Sequence, residues 1–208
     1  MPRLESEPLD RRMAGLAWND SSSALLAWRD GRTGYLVVDA AMRQLAEEAW
    51  LPNRSRLIVA CFLTKDLGLN WQTGERIFID RLLDGDLANN NGGWQWVAGT
   101  GADAQPFFRV FNPILQGRRF DPDGAHVRRW CPELASVPPR QIHEPWKMSA
   151  IAQRRSGCVI GRNYPAPIVD HQEARQGALA RVALLLATAG ASAAAPRSRE
   201  GSSPLPPA

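Results

Sequence analysis

The sequence predicts a mostly α-helical domain. Apolar residues recur at helical spacing over residues 37–49, an amphipathic stretch runs from His171, and strand-like alternation is scarce. The 208 residues suffice for one domain, and a 44% hydrophobic content fits a packed core. Residues 1–14 are charged and unpatterned and are expected to be loose, or to pack against something absent from the chain. In residues 16–28, Asp20 and three serines supply helix-start signals, and Gly31 to Gly34 is a turn. Val38, Met42, Leu45 and Ala49 define the face of the next helix, which Pro52 interrupts. Asn53 is expected to cap a second helix, whose nearly continuous apolar run over residues 57–63 predicts burial on most sides. Thr73 is the expected cap of a third helix over residues 75–83. Residues 106–122 read as loop, and Asp121 then caps a short helix ending at Trp130. Residues 143–146 form a proline-containing loop, and the last helix runs from His171 to about Ala187. Residues 189–208, rich in Ala, Ser and Pro, are expected to be disordered, which leaves 15–188 as the domain.

Several function classes are set aside by composition. Three cysteines without a C-x-x-C pair argue against a disulfide framework and a zinc site, and no metal is expected. No signal peptide or bilayer-length apolar run is visible, so a cytoplasmic location is expected. His126, His143 and His171 are far apart with no nucleophile motif nearby, and read as surface or loop residues. The net charge of +4 and pI near 9.4 favour an anionic partner only weakly. Nearly all of that positive charge is arginine, the only lysines being Lys65 and Lys147.

Eight tryptophans against two tyrosines invite a search for a planar ligand, because indoles stack on flat heterocycles. The segment Asp84-Gly-Asp-Leu-Ala-Asn-Asn-Asn-Gly-Gly-Trp-Gln-Trp96 sets two carboxylates, three amides and two glycines before two indoles. A calcium loop does not fit, since Ala88 and Asn89 break the ligand pattern and Gln95 stands where the closing glutamate belongs. Carboxylates accept from ring N–H groups and ribose hydroxyls, amides reach ring nitrogens, glycines admit close backbone approach and indoles exclude water. The segment therefore reads as a site for a flat, hydrogen-bonding heterocycle.

That segment is one of six ordered motifs. The others are Trp50-Leu-Pro-Asn-Arg-Ser-Arg56, Phe62-Leu-Thr-Lys-Asp66, Phe108-Arg-Val-Phe-Asn-Pro113, His143-Glu-Pro-Trp146 and Pro165-Ala-Pro-Ile-Val-Asp170. Together they resemble the DNA photolyase/cryptochrome family over residues 16–186, nearest to bacterial enzymes acting on cyclobutane pyrimidine dimers. The resemblance implies an all-helical FAD-binding domain, with light-driven electron transfer from reduced FAD to a pyrimidine dimer flipped out of DNA. It implies FAD contacts from Trp50, Asn53, Arg56, Asp84, Asp86, Asn90 and Gly93. Asp84, taken as a buried carboxylate, pairs with Arg56, and Asn90 lies near the ring nitrogen protonated on reduction. Trp94, Trp71 and Trp18 match the family's electron-transfer chain, whereas Trp28 and Trp130 read as core. Asn53, Arg54, Leu57, Trp96 and Arg109 match positions that meet the lesion or its phosphates, with general attraction from Arg118 and Arg119.

The sequence departs from that family in Pro52, where a polar residue is usual, and in Leu57, which replaces Met. It has no α/β region for an antenna pigment and lacks the first part of the flavin domain. The expectations are therefore weak or absent FAD binding by this chain alone, no repair in isolation, and a monomer when complete. A cryptochrome-like photoreceptor without repair and a non-functional truncated fragment are the competing readings.

Overall fold

The computed structural model describes residues 7–102 and 108–194, and within them it is helical, with two isolated bridges and no β-strand. The helices are α1 (Ser22–Arg29), α2 (Leu36–Glu48), α3 (Asn53–Cys61), α4 (Trp71–Arg81), α5 (Leu87–Ala98), α6 (Pro113–Phe120), α7 (Ala125–Trp130), α8 (Ala150–Arg155) and α9 (His171–Ala194). Helix α3 continues through a π-helical turn, Phe62–Asp66, whose five residues are all buried.

Helix α2 organises the interior because it is apolar on two sides. Val38, Met42 and Leu45 enter a core shared with Trp28, Phe62, Phe78 and Trp94. Leu36 and Ala40 enter a second core with Val127, Trp130, Leu134 and Tyr164. Asp39 is fully buried in that helix and accepts from Thr33 N (2.7 Å), Thr33 Oγ1 (2.6 Å), Gly34 N (3.0 Å) and the Tyr164 hydroxyl. Burial raises its pKa and these donors oppose the rise.

Several elements differ from their sequence reading. Pro52, not Asn53, occupies the cap position of α3; Asn53 is its first residue. Asn70 caps α4 by accepting from Gln72 N, which starts the helix at Trp71 rather than at Glu75. Residues 113–120 form α6 within the stretch read as loop, because Asn112 caps it and Pro113 fits its first turn. Gly124 is the cap residue of α7, although the Asp121 carboxylate does accept from His126 N and Val127 N. Helix α9 extends to Ala194, past the end expected for it, and residues 195–208 of the expected disordered tail lie outside the described residues.

At the other end, residues 1–6 also lie outside the described residues, but residues 7–14 are docked. Leu9 N donates to Gln95 Oε1 (2.8 Å), Asp10 N donates to Thr100 O (2.9 Å), and Met13 is buried. The histidines are more enclosed than expected. His143 is buried with its Nε2 2.7 Å from Asp121 O, and His171 is buried with its Nδ1 2.5 Å from Asp66 Oδ1. No described helix is long and apolar enough to cross a membrane.

Candidate functional site

Helices α3, α4 and α5 and the 82–86 turn enclose a cavity of about 180 Å³. Its wall carries Asn53, Arg56 and Leu57 from α3, Phe78 from α4, Asp84 and Asp86 from the turn, and Asn90, Gly93 and Trp94 from α5. Of the seven residues expected at the cofactor, six line this cavity; Trp50 stands outside its lining and is 46% exposed.

Each polar group is placed by a local reason. Asp86 is the N-cap of α5 and accepts from Asn89 N (2.8 Å), so residues 87–96 of the motif lie in a helix. One Arg56 nitrogen, Nη2, donates to both Asp84 oxygens at 2.7 and 2.8 Å, while Nε donates to Leu51 O (2.9 Å). Arg56 thereby ties α3 to the turn before α5. The Asp84 side chain is 49% exposed, so the pair is set by geometry and not by the deep burial expected of that carboxylate. Asn90 Nδ2 donates to Glu75 O (2.9 Å), which fixes the amide through one of its two N–H groups and leaves its oxygen able to accept.

Close approach of α4 and α5 sets the depth of the cavity. A Cβ on Gly74 would lie 2.2 Å from Trp94 Cη2, so only glycine permits this contact. Trp94 packs edge-on against Phe78 (5.0 Å between centroids) and Trp28 (6.2 Å). Glu75, unremarked in the sequence, accepts from Asn91 Nδ2 (2.8 Å), and Asn91 accepts in turn from Gln95 Nε2 (3.0 Å). These bonds hold a helix whose Asn-Asn-Asn-Gly-Gly sequence forms one poorly by itself. A Cβ at Gly93 would meet nothing within 4 Å, which leaves open space in front of the cavity wall.

The three indoles expected to carry electrons belong to one packed region. Trp94 and Trp71 are buried, and partly buried Trp18 packs against the same core. Gly74, under the Trp94 ring, lies one turn after Trp71 in α4, and the Asn19–Leu69 bridge brings Trp18 alongside the start of α4. Trp28 and Trp130 are buried in the two cores, and Trp28 Nε1 donates to Val59 O (3.0 Å).

Of the residues expected at DNA, Asn53 and Leu57 line the cavity, and Arg54, Trp96 and Arg109 lie outside its lining. Arg109 lies over the Trp96 ring at 5.7 Å, and Arg54 lies over Phe120 at 4.8 Å and Phe111 at 5.7 Å. Arg118 pairs with Glu144, and Arg119 lies over Phe120 at 5.3 Å.

A cleft among helices with an arginine–carboxylate clamp, an amide acceptor and an indole floor is a candidate binding site for a flat, hydrogen-bonding cofactor. The family model described as the FAD binding domain of DNA photolyase matches residues 1–184, and the chain belongs to this family. It is 52% identical to the deoxyribodipyrimidine photo-lyase of Escherichia coli (strain K12) over 163 residues, covering 78% of this chain and 33% of that protein. It is 47% identical to that of Agrobacterium fabrum over 187 residues, covering 90% and 39%. Among solved structures, a bacterial class III photolyase from Agrobacterium tumefaciens superposes with a TM-score of 0.85 at 47% identity, over 89% of this chain and 38% of that one. A Synechocystis cryptochrome superposes at 0.77 with 38% identity, over 80% and 34%. The chain thus spans about a third of the length of these curated relatives.

The cofactor of this family is FAD, and the cavity residues fit it. The open space before Gly93, the acceptors Asp84, Asp86 and Asn90, and the apolar floor of Phe78 and Trp94 match a flat ring edged with N–H groups and a hydroxylated chain.

Proposed function

We propose that this chain is the C-terminal part of a deoxyribodipyrimidine photo-lyase, which repairs cyclobutane pyrimidine dimers in DNA with light and reduced FAD. The observation that carries the reading is that the Arg56–Asp84 clamp and Asn90 line one cavity. Bound reduced FAD supplies the light-driven electron that splits the dimer and takes it back. Asp84 accepts from the ring edge, held in place by Arg56. Asp86 accepts from sugar-chain hydroxyls while capping α5. Asn90 presents its oxygen to the N–H gained on reduction and so favours the reduced form. Trp94 would exclude water and, with Trp71 and Trp18, would pass an electron inward from a reductant at the surface to the light-excited oxidised cofactor. Trp96 stacks on the damaged bases, an interaction of roughly 1–3 kcal/mol per base. Asn53 and Leu57 border the lesion, and Arg54 and Arg109 meet flanking phosphates in a salt-dependent, sequence-blind way.

A cryptochrome-like photoreceptor is the second reading, favoured by the 38% identity to the Synechocystis protein. A chimera decides between them: residues 16–186 replace the matching segment of the Escherichia coli enzyme. Irradiated oligothymidylate is then exposed to near-UV light, and recovery of absorbance at 260 nm is followed. Repair that is lost in Trp96→Ala supports the proposal. A flavin-loaded chimera without repair supports the photoreceptor, and a chimera that takes up no FAD sinks both.

A further inference from the structure

Lys65 is one of two lysines in a chain with 25 basic residues, and it sits in the interior at 2% exposure. The π-helical turn that follows α3 brings it there, a distortion often found at functional sites. Its Nζ donates to Ala98 O, the last carbonyl of α5, at 2.5 Å, where a cation also complements the helix dipole. The same nitrogen stands 3.2 Å from the centroid of the Phe108 ring. Gly99, with φ of +77°, makes room for both partners: a Cβ there would lie 2.8 Å from Phe108 and 3.5 Å from Nζ. Phe108 is followed directly by Arg109, whose guanidinium lies over Trp96 of α5. Lys65 therefore joins the two segments that form the Trp96–Arg109 surface.

We propose that Lys65 is the positioning residue of that surface: seated between the end of α5 and the Phe108 ring, its ammonium fixes how Arg109 lies over Trp96, and loss of its proton loosens the grip. The proposal rests on the reading of Trp96 and Arg109 as a DNA-contacting pair.

The charged and titratable groups around Lys65 are few. Cys61 comes from α3, Arg181 from α9 and Arg109 from the Phe108 segment, while neighbouring Asp66 meets His171 of α9 through Oδ1 and has its Oδ2 buried without a hydrogen-bond partner among the described residues. Among the described residues no carboxylate lines the space of about 30 Å³ beside Lys65, and α5 contributes Trp96 and Val97 to it. Burial, opposed by Cys61 and helped to a lesser extent by Arg181, lowers the Lys65 pKa to about 7. The ammonium is therefore present below neutrality and lost above it. The neutral amine keeps a hydrogen bond to Ala98 and loses its attraction to the Phe108 ring.

With only two lysines, NMR of the chain labelled with 13C at the lysine ε carbon resolves each one, and Lys147→Arg assigns them. At pH 6 the Lys65 signal is expected upfield under the Phe108 ring, moving with a midpoint near 7. The Arg109 Nε–H is expected to be displaced by the Trp96 ring. Lys65→Met should return Arg109 to an unperturbed position while the Trp130 indole, in the other core, stays put. Phe108→Leu, which keeps the lysine, should do the same and also releases the Lys65 shift. An Arg109 signal unchanged in both variants, or a Lys65 signal without displacement, overturns the proposal. Binding of a 16-nucleotide oligothymidylate is measured in parallel. It should weaken several-fold from pH 6 to pH 8 in the parent and stay flat in Lys65→Met. A pH dependence retained in Lys65→Met also overturns the proposal. If the NMR coupling holds but no variant binds the oligonucleotide, the DNA reading of the surface fails and the positioning role stands.

Discussion

Replacing Gly74 with alanine tests whether α4 and α5 pack as closely as the cavity requires. A change from glycine to alanine inside a helix ordinarily gains about 0.5–1 kcal/mol. Here the new methyl would stand 2.2 Å from Trp94 Cη2, 2.6 Å from Trp94 Cζ3 and 2.6 Å from Leu63 Cδ2. Carbon atoms settle at about 3.5–4.0 Å, so a shift of more than about 1 Å is needed. Trp94 has little room to give, because Phe78 and Trp28 bracket it at 5.0 and 6.2 Å. Overpacking of this kind costs about 1–3 kcal/mol, which exceeds the propensity gain. The expected net loss is about 1–2 kcal/mol, or a Tm lower by roughly 2–8 °C for a chain of this size. Thermal unfolding by circular dichroism measures it, with near-UV signal from Trp94 as a second readout. A Tm raised by the Gly74→Ala change would refute the packing argument, since it would mean the propensity gain was realised with no clash.

Three further outcomes follow from particular residues. Ala49 ends α2 with φ of 54°, so Ala49→Gly should raise stability by about 0.5–1 kcal/mol in a urea titration, where a loss would show the left-handed turn to be absent. Arg56→Met removes the Leu51 contact and a half-exposed ion pair, so it should cost only about 1–2 kcal/mol of stability yet lower FAD uptake in the chimera at least tenfold. The Lys65 ammonium titrates near 7 when folded and near 10.4 when unfolded, so the unfolded chain holds the extra proton between those values. This group therefore adds stability as pH rises from 7 to about 10, by up to about 1.4 kcal/mol per unit, and Lys65→Met should flatten that part of the parent's pH–stability curve.

What could be read in advance depended on whether a motif's meaning was local. The Arg56–Asp84 pairing and the cavity positions of Asn53, Asp86, Asn90 and Gly93 followed from motif resemblance, which carries spatial information that composition lacks. Helix starts were harder. Asn70 outcompeted Thr73 as a cap because its side chain reaches Gln72 N, and Asn112-Pro113 was read as a loop signal although Asn then Pro also opens a helix. Residues 84–96 gave no helical signal because their helix propensity is low, and the Asp86 cap with the bonds from Asn90 and Asn91 to Glu75 explains why α5 persists. Asp84 was assumed to be buried on general grounds, and its exposure could be known only from the arrangement of α3 against the turn. His171 gave no sign of its partner, which lies 105 positions away at Asp66. Lys65 did carry a signal, being a lysine kept where the chain otherwise uses arginine.

The site itself is tested most directly by adding FAD to the 15N-labelled chimera, in which residues 16–186 replace the matching segment of the Escherichia coli enzyme, and mapping amide and indole shifts. The account predicts changes at Arg56, Asp84, Asn90, Gly93 and the Trp94 indole, with the Trp130 indole unmoved. Shifts centred on another face, or no shifts at saturating FAD, would contradict it.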